Sequence, residues 1–164
     1  MNTLKNTQCS IKNIVFLDID GVLNCRKTSD SINGFVGIED QKVALLKEIV
    51  EKTDSYIVLS SSWKRDWDPQ AKEQKGILIR YMLEKLASQG LSLIDKTIDH
   101  WMDRGRGIYN WLQTHPHKNW IVLDDEIFPD YEDYGIMEHL IKTSFVDGGL
   151  QADHVRQAIE LLNK

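Results

Sequence analysis

Ile14-Val15-Phe16-Leu17-Asp18-Ile19-Asp20-Gly21 is the stretch from which the rest of the chain can be read. Four consecutive apolar residues without polar alternation mark a strand buried on both faces, the condition of a strand inside a parallel sheet. The run stops at two carboxylates two residues apart, so Asp18 and Asp20 leave the strand toward the same side. Gly21 then permits a tight turn that keeps both accessible. The same pattern recurs twice. Residues 56–59 (Tyr-Ile-Val-Leu) run into Ser60-Ser61-Ser62-Trp63, and residues 120–123 (Trp-Ile-Val-Leu) run into Asp124-Asp125-Glu126. Shorter strand candidates lie at 91–94 and around 139–143. Between the strands, residues 39–52 place Val43, Leu46, Ile49 and Val50 at helical spacing. A long helix is expected over 70–89, stopped by Gly90, another over 105–114, closed by Pro116, and a last one over 152–162 after the turn Asp147-Gly148-Gly149. Alternating strands and helices imply an α/β fold with right-handed crossovers. The expectation is a Rossmann-like three-layer sandwich with a mainly parallel five-stranded sheet, formed by residues 1–164 as one domain.

Composition agrees with that reading. A 164-residue chain suits one domain and can bury a proper core without staples. With 41% hydrophobic and 27% charged residues, it falls outside the disordered and fibrous classes. The net charge of −5 argues against a protein that coats nucleic acid by bulk charge, while leaving room for a local basic patch acting on nucleic-acid ends. Two cysteines, Cys9 and Cys25, are too few for a disulfide framework or a four-thiolate zinc site, which suits a reducing cytoplasm. No apolar run reaches membrane-spanning length, and residues 1–13 contain no stretch of signal-peptide length. A monomer is expected.

Three buried strands thus end in polar clusters, and in open α/β sheets ligands bind beyond the carboxyl ends of the strands. Four carboxylates on one rim resist ionising together, and a hard divalent cation relieves that repulsion. Magnesium favours one or two carboxylates, carbonyl oxygens, waters and a substrate phosphate. Asp18, Asp20, Asp124 and Asp125 are therefore the candidate metal residues for Mg2+. In such a site Asp18 could attack phosphorus as a nucleophile while Asp20 handles the proton on the leaving oxygen. Charge developing on the phosphoryl oxygens calls for hydroxyl donors and a fixed cation. Ser60 and one of Arg104 and Arg106 are the candidates. A calcium loop of the EF-hand kind is excluded, because counting from Asp18 the sixth position is Leu23 rather than glycine and the twelfth is Ser29 rather than glutamate.

These residues carry a family resemblance. The segment Phe16-Leu17-Asp18-Ile19-Asp20-Gly21-Val22-Leu23-Asn24 resembles the first motif of the haloacid dehalogenase (HAD) superfamily of aspartate-nucleophile phosphatases. Ile57–Ser60 resembles the second motif, Arg104 or Arg106 stands where the third places its basic residue, and Leu123-Asp124-Asp125 resembles the acidic fourth. Ser61-Ser62-Trp63, Ile108 with Trp111-Leu112, and Asp147-Gly148-Gly149-Leu150 look like the HAD domains of bacterial RNA-repair proteins, a likeness in which Arg104 is the better fit. The resemblance implies a magnesium-dependent phosphohydrolase working through an aspartyl-phosphate.

HAD enzymes insert caps after the first motif or between the second and third. Here residues 22–38 read as a loop, and 63–103 are mostly consumed by one helix and one strand, so no sizeable cap is expected. An open cleft suits bulky phosphates, among them a nucleic-acid end or a nucleotide. Ser61, Trp63 and Lys64 are candidate substrate-binding residues, with Trp63 and Trp67 available to stack on bases and Lys64 and Arg65 to hold phosphates. Equally, the two tryptophans could cover the core. His100 and Trp101 either line the cleft or pack. His115 and His117 lack a third ligand and read as surface loop. The rival functions are a phosphotransferase with the same intermediate, a catalytically silent binding module of the same fold, and a metal-dependent sugar transferase, the last disfavoured by the short chain.

Overall fold

The computed structural model describes residues 11–164, so Cys9 and the segment before it lie outside the described residues. The apolar run forms strand β1 (Asn13–Leu17), every residue of it buried. Helix α1 (Asp40–Thr53) leads to β4 (Ser55–Leu59), and helix α2 (Ile77–Ala87) to β5 (Leu93–Lys96). Helix α3 (Arg104–Thr114) precedes β6 (Trp120–Asp124), which is followed by β7 (Leu140–Lys142) and helix α4 (Ala152–Leu162). The five long-range strands form one sheet in the order β5-β4-β1-β6-β7, all parallel.

The double burial of β1 has a direct cause. Val15 and Leu17 face a core built with Leu46 and Ile49 of α1, Ile79 and Met82 of α2, and Val155 and Ala158 of α4. Ile14 and Phe16 face the opposite core, with Ile108 and Trp111 of α3 and the loop residues Tyr131 and Ile136. Three layers result, with β1 at the centre. From β1 the chain first builds outward through β4 and β5, then returns to the other side for β6 and β7. That reversal puts the carboxyl ends of β1, β4 and β6 side by side at a topological switch point. In register, Leu17 pairs with Leu59 and with Leu123, so the residue after each of the three lies on the same rim.

Two expectations need correction. The helix expected over 70–89 is shorter, starting at Ile77. Residues before it find local partners instead: Gln74 Nε2 donates to the Asp68 carbonyl (2.6 Å), and Asp68 Oδ1 accepts from the Gln70 amide (2.9 Å). Such side-chain bonds to nearby backbone compete with helix formation, and Gly76 enters α2 in an extended conformation. Residues 22–38 are also more than a loop. They carry a two-stranded hairpin, β2 (Ser31–Ile32) with β3 (Phe35–Val36), which stands beside the switch point without approaching the size of a cap domain. No helix among the described residues is long and apolar enough to cross a membrane.

Candidate active site

Beyond the switch point lies an open cleft of about 550 Å³, lined by Asp18, Asp20, Ser62, Arg104, Asp125 and the hairpin residues Phe35 and Val36, among others. Asp18 continues β1, its amide donating to the Leu123 carbonyl at 2.9 Å. Its carboxylate is almost wholly buried, 3.3 Å from Arg104 Nη1. The same Nη1 donates to Asp124 Oδ2 at 2.7 Å, so one guanidinium bridges the carboxylates at the ends of β1 and β6. Tyr131 Oη donates to that same Asp124 oxygen (2.8 Å), and the Glu126 amide donates to the other (3.0 Å). Asp124, fully buried, is thereby held from three directions.

Charge is crowded here. Burial, with the Asp124 charge added, pushes the Asp18 carboxyl up to about 7, although Arg104 and a hydrogen bond with Ser61 pull the other way. Asp125 is pushed up to about 6 by burial and by the neighbouring charges of Asp124 and Glu126. Arg104, despite burial, is held more firmly protonated by Asp18 and Asp124. Gly21 makes the crowding sterically possible. Its φ of +76° is left-handed, and a Cβ there would lie 2.2 Å from Asp125 Cγ. Any side chain at 21 would displace Asp125 from the cluster.

Oxygens of Asp18, Asp124 and Asp125 come within 4.8 Å of one another, the one such group of three among the described residues. Three hard oxygen donors, two of them reluctant to ionise, fit a small divalent cation, which would relieve the repulsion between them. The Asp20 side chain is committed elsewhere. Its Oδ2 accepts from Trp63 Nε1 (2.9 Å) and its Oδ1 from Asn24 Nδ2 (2.9 Å), a clamp that fixes the carboxylate at the mouth of the cleft. Any share Asp20 has in holding a cation would fall to its backbone carbonyl.

The remaining candidates separate. Arg106 is exposed and pairs with Asp103 at 2.9 Å, because two residues along a helix turn its side chain about 200° away from that of Arg104. It lies outside the cluster. Ser60 is fully buried at the end of β4, and among the described residues its hydroxyl is the one buried side-chain polar atom without a partner. A buried hydroxyl left unpaired costs about 1–3 kcal/mol, yet Ser60 is not among the residues lining the cleft. Ser61, also buried, accepts from the Trp63 amide at 3.3 Å, while Ser62 lines the cleft.

The stacking role expected for Trp63 and Trp67 is not available. Both are at most 5% exposed and belong to the core. Their rings pack inward because the chain after β4 folds into a 3-10 turn (Ser62–Asp66), and Trp63 serves instead to orient Asp20. Lys64 is buried too. Its Nζ donates to Thr97 Oγ1 (2.8 Å) and to Asp99, and burial lowers its pKa while Asp99 opposes the shift.

Three contributors were not legible in the sequence. Tyr131 holds Asp124 from a loop seven residues on. Phe128 lies under the Arg104 guanidinium, 4.2 Å from carbon to ring centroid. Asp130, in the loop after β6, accepts from the amides of Gly105 (3.0 Å) and Arg106 (2.9 Å), capping the first turn of α3 and so fixing where Arg104 begins. An acidic loop after a strand ending in Asp-Asp was the only signal, and it carries no such specificity.

A family model described as the HAD domain in Swiss Army Knife RNA repair proteins matches residues 14–155. Neither the curated proteins nor the solved structures yield a match.

Proposed function

The chain belongs to the family of HAD domains found in Swiss Army Knife RNA repair proteins, and from that premise we propose that it is a magnesium-dependent phosphohydrolase cleaving phosphate monoesters through an aspartyl-phosphate. The observation that carries the reading is the bridge of Arg104 between Asp18 and Asp124 at the base of an open cleft. Magnesium would be held by the grouped carboxylates of Asp18, Asp124 and Asp125, and the Asp20 backbone carbonyl would be a further oxygen donor. When bound, it supplies positive charge that favours ionised Asp18 and neutralises phosphoryl oxygens.

The chain's own groups then divide the chemistry. The Asp18 carboxylate attacks phosphorus, forming a P–O bond as the bond to the leaving oxygen breaks. Asp20, oriented by Trp63 and Asn24, donates a proton to that oxygen. In the second half, Asp20 takes a proton from water, the water oxygen bonds to phosphorus, and the P–O bond to Asp18 breaks. Arg104 remains beside the transferring group as a fixed cation. The family's description, together with an uncapped cleft, favours a nucleic-acid end or a nucleotide as the phosphate carrier.

Asp18→Asn provides the test, since it keeps shape and removes the nucleophile. Phosphate release from p-nitrophenyl phosphate should disappear while the circular dichroism spectrum is retained. Excess chelator should silence the wild-type chain and magnesium restore it. Near wild-type turnover by Asp18→Asn would sink the mechanism.

A further inference from the structure

A second cleft, of about 520 Å³, opens directly beside the first and shares Ser62 and Arg104 with it. That volume falls within the range of about 300–1,000 Å³ usual for small-molecule sites. Its buried lining is the Lys64–Asp99 pair, with side chains 11% and 12% exposed. Its outer lining is Trp101, Met102 and Arg65, and Phe128 contributes a second aromatic surface.

Trp101 is 91% exposed, whereas Trp63, Trp67 and Trp111 are at most 7% exposed. A fully presented indole on a cleft wall is a large apolar surface with nothing of this chain against it. Its backbone is nevertheless held in place. The His100 amide donates to Asp103 Oδ1 at 2.6 Å, the Asp103 amide returns a bond to the His100 carbonyl at 3.3 Å, and Met102 sits in the left-handed region at φ +77°. The segment is also seated on α3, where Gly107 is approached so closely that a Cβ would lie 2.8 Å from Asp99 Cβ. Arg65 enters none of the ion pairs found among the described residues.

Building on the phosphatase reading, we propose that this second cleft receives the nucleobase adjoining the scissile phosphate, stacked on Trp101. A flat ring with hydrogen-bonding edges matches an exposed indole flanked by cationic and carboxylate groups. A phosphoryl group in the first cleft, beside Arg104, leaves its leaving group to extend past Ser62 into the second. Arg65 stands where a further backbone phosphate would pass, which favours the end of a strand over a free nucleotide. Stacking on an aromatic is tolerant of base identity, so little discrimination among the four bases is expected.

The full-length Asp18→Asn chain allows binding to be read without turnover. Acrylamide quenching of tryptophan fluorescence reports chiefly Trp101, since Trp63, Trp67 and Trp111 are buried and the partly buried Trp120 is stacked on His139. Nucleoside monophosphates and phosphate-ended dinucleotides should shield it, and ribose 5-phosphate should not. Adding Trp101→Ala should weaken nucleotide binding by about tenfold, the size of one base–aromatic stack, with Trp101→Phe close to the parent. The shift for ribose 5-phosphate should be much smaller. Tighter dinucleotide binding that Arg65→Ala abolishes supports a strand end as the source; equal affinity supports a free nucleotide, and both keep the stacking site. Equal losses for nucleotide and ribose 5-phosphate, or no loss for either, would overturn the proposal. Turnover of p-nitrophenyl phosphate by the wild type decides the phosphatase reading separately: shielding without turnover leaves a nucleotide site without the chemistry, and turnover without shielding removes only the base site.

Discussion

Two arginines two positions apart had equal chemistry on paper, and their surroundings separate them. Arg104 is buried against Asp18 and Asp124, whereas Arg106 faces solvent with Asp103. Breaking a buried pair leaves an uncompensated charge and costs about 3–5 kcal/mol, whereas exposed substitutions usually stay within about 0.5 kcal/mol. Arg104→Ala should therefore lower both kcat and the urea midpoint, and Arg106→Ala should change neither appreciably. Steady-state kinetics with urea denaturation of both variants checks this; the reverse ordering would return the cationic role to Arg106. The two tryptophans after β4 show the same limit of sequence reading. Trp63 and Trp67 sit beside a basic pair in the chain, yet the 3-10 turn directs their rings into the core, and the exposed indole is Trp101.

Among the elements, α3 carries the most consequence for the site, because Arg104 is its first residue. Asp103, its N-cap by position, makes no side-chain cap bond there, and the first-turn amides are satisfied by Asp130 from the loop after β6. Removing an acceptor of that kind costs about 1 kcal/mol. Asp130→Ala should thus be mildly destabilised, and by loosening the first turn it should lower kcat with little change in KM. Unchanged kcat alongside the expected drop in stability would show that α3 holds Arg104 without help from Asp130. The shortened α2 is a further case of local competition. Residues 70–76 have helical composition but no apolar face to bury, so the Asp68–Gln74 bonds prevail.

At the scale of the whole molecule, folding forces carboxylates together, and this gives stability a direction in pH. Asp18 and Asp125 have folded-state pKa values raised from 3.8 to about 7 and about 6. A raised carboxyl pKa means that the folded state binds protons more tightly than the unfolded one. The stability associated with it is present below about pH 4 and is lost as pH rises through 6 and 7. Other acids will destabilise the fold at low pH, so the measurable quantity is a difference. In chelator, Asp18→Asn should gain thermal stability over the wild type as pH goes from 5 to 8, and magnesium should raise the wild-type Tm more at pH 8 than at pH 5. A gap between variants that is flat across this range would refute the assignment of strain to the cluster. The sequence by itself determined the layered α/β architecture and the rim on which chemistry gathers, because buried apolar runs ending in Asp, Ser and Asp are local patterns set by strand burial. Only the tertiary structure decided which arginine bridges the carboxylates, that Tyr131 and Asp130 secure Asp124 and α3, and that Trp101 rather than Trp63 is presented. Those outcomes depend on contacts between segments distant along the chain and on the rotation of each side chain about its element, which spacing along one strand or turn does not encode.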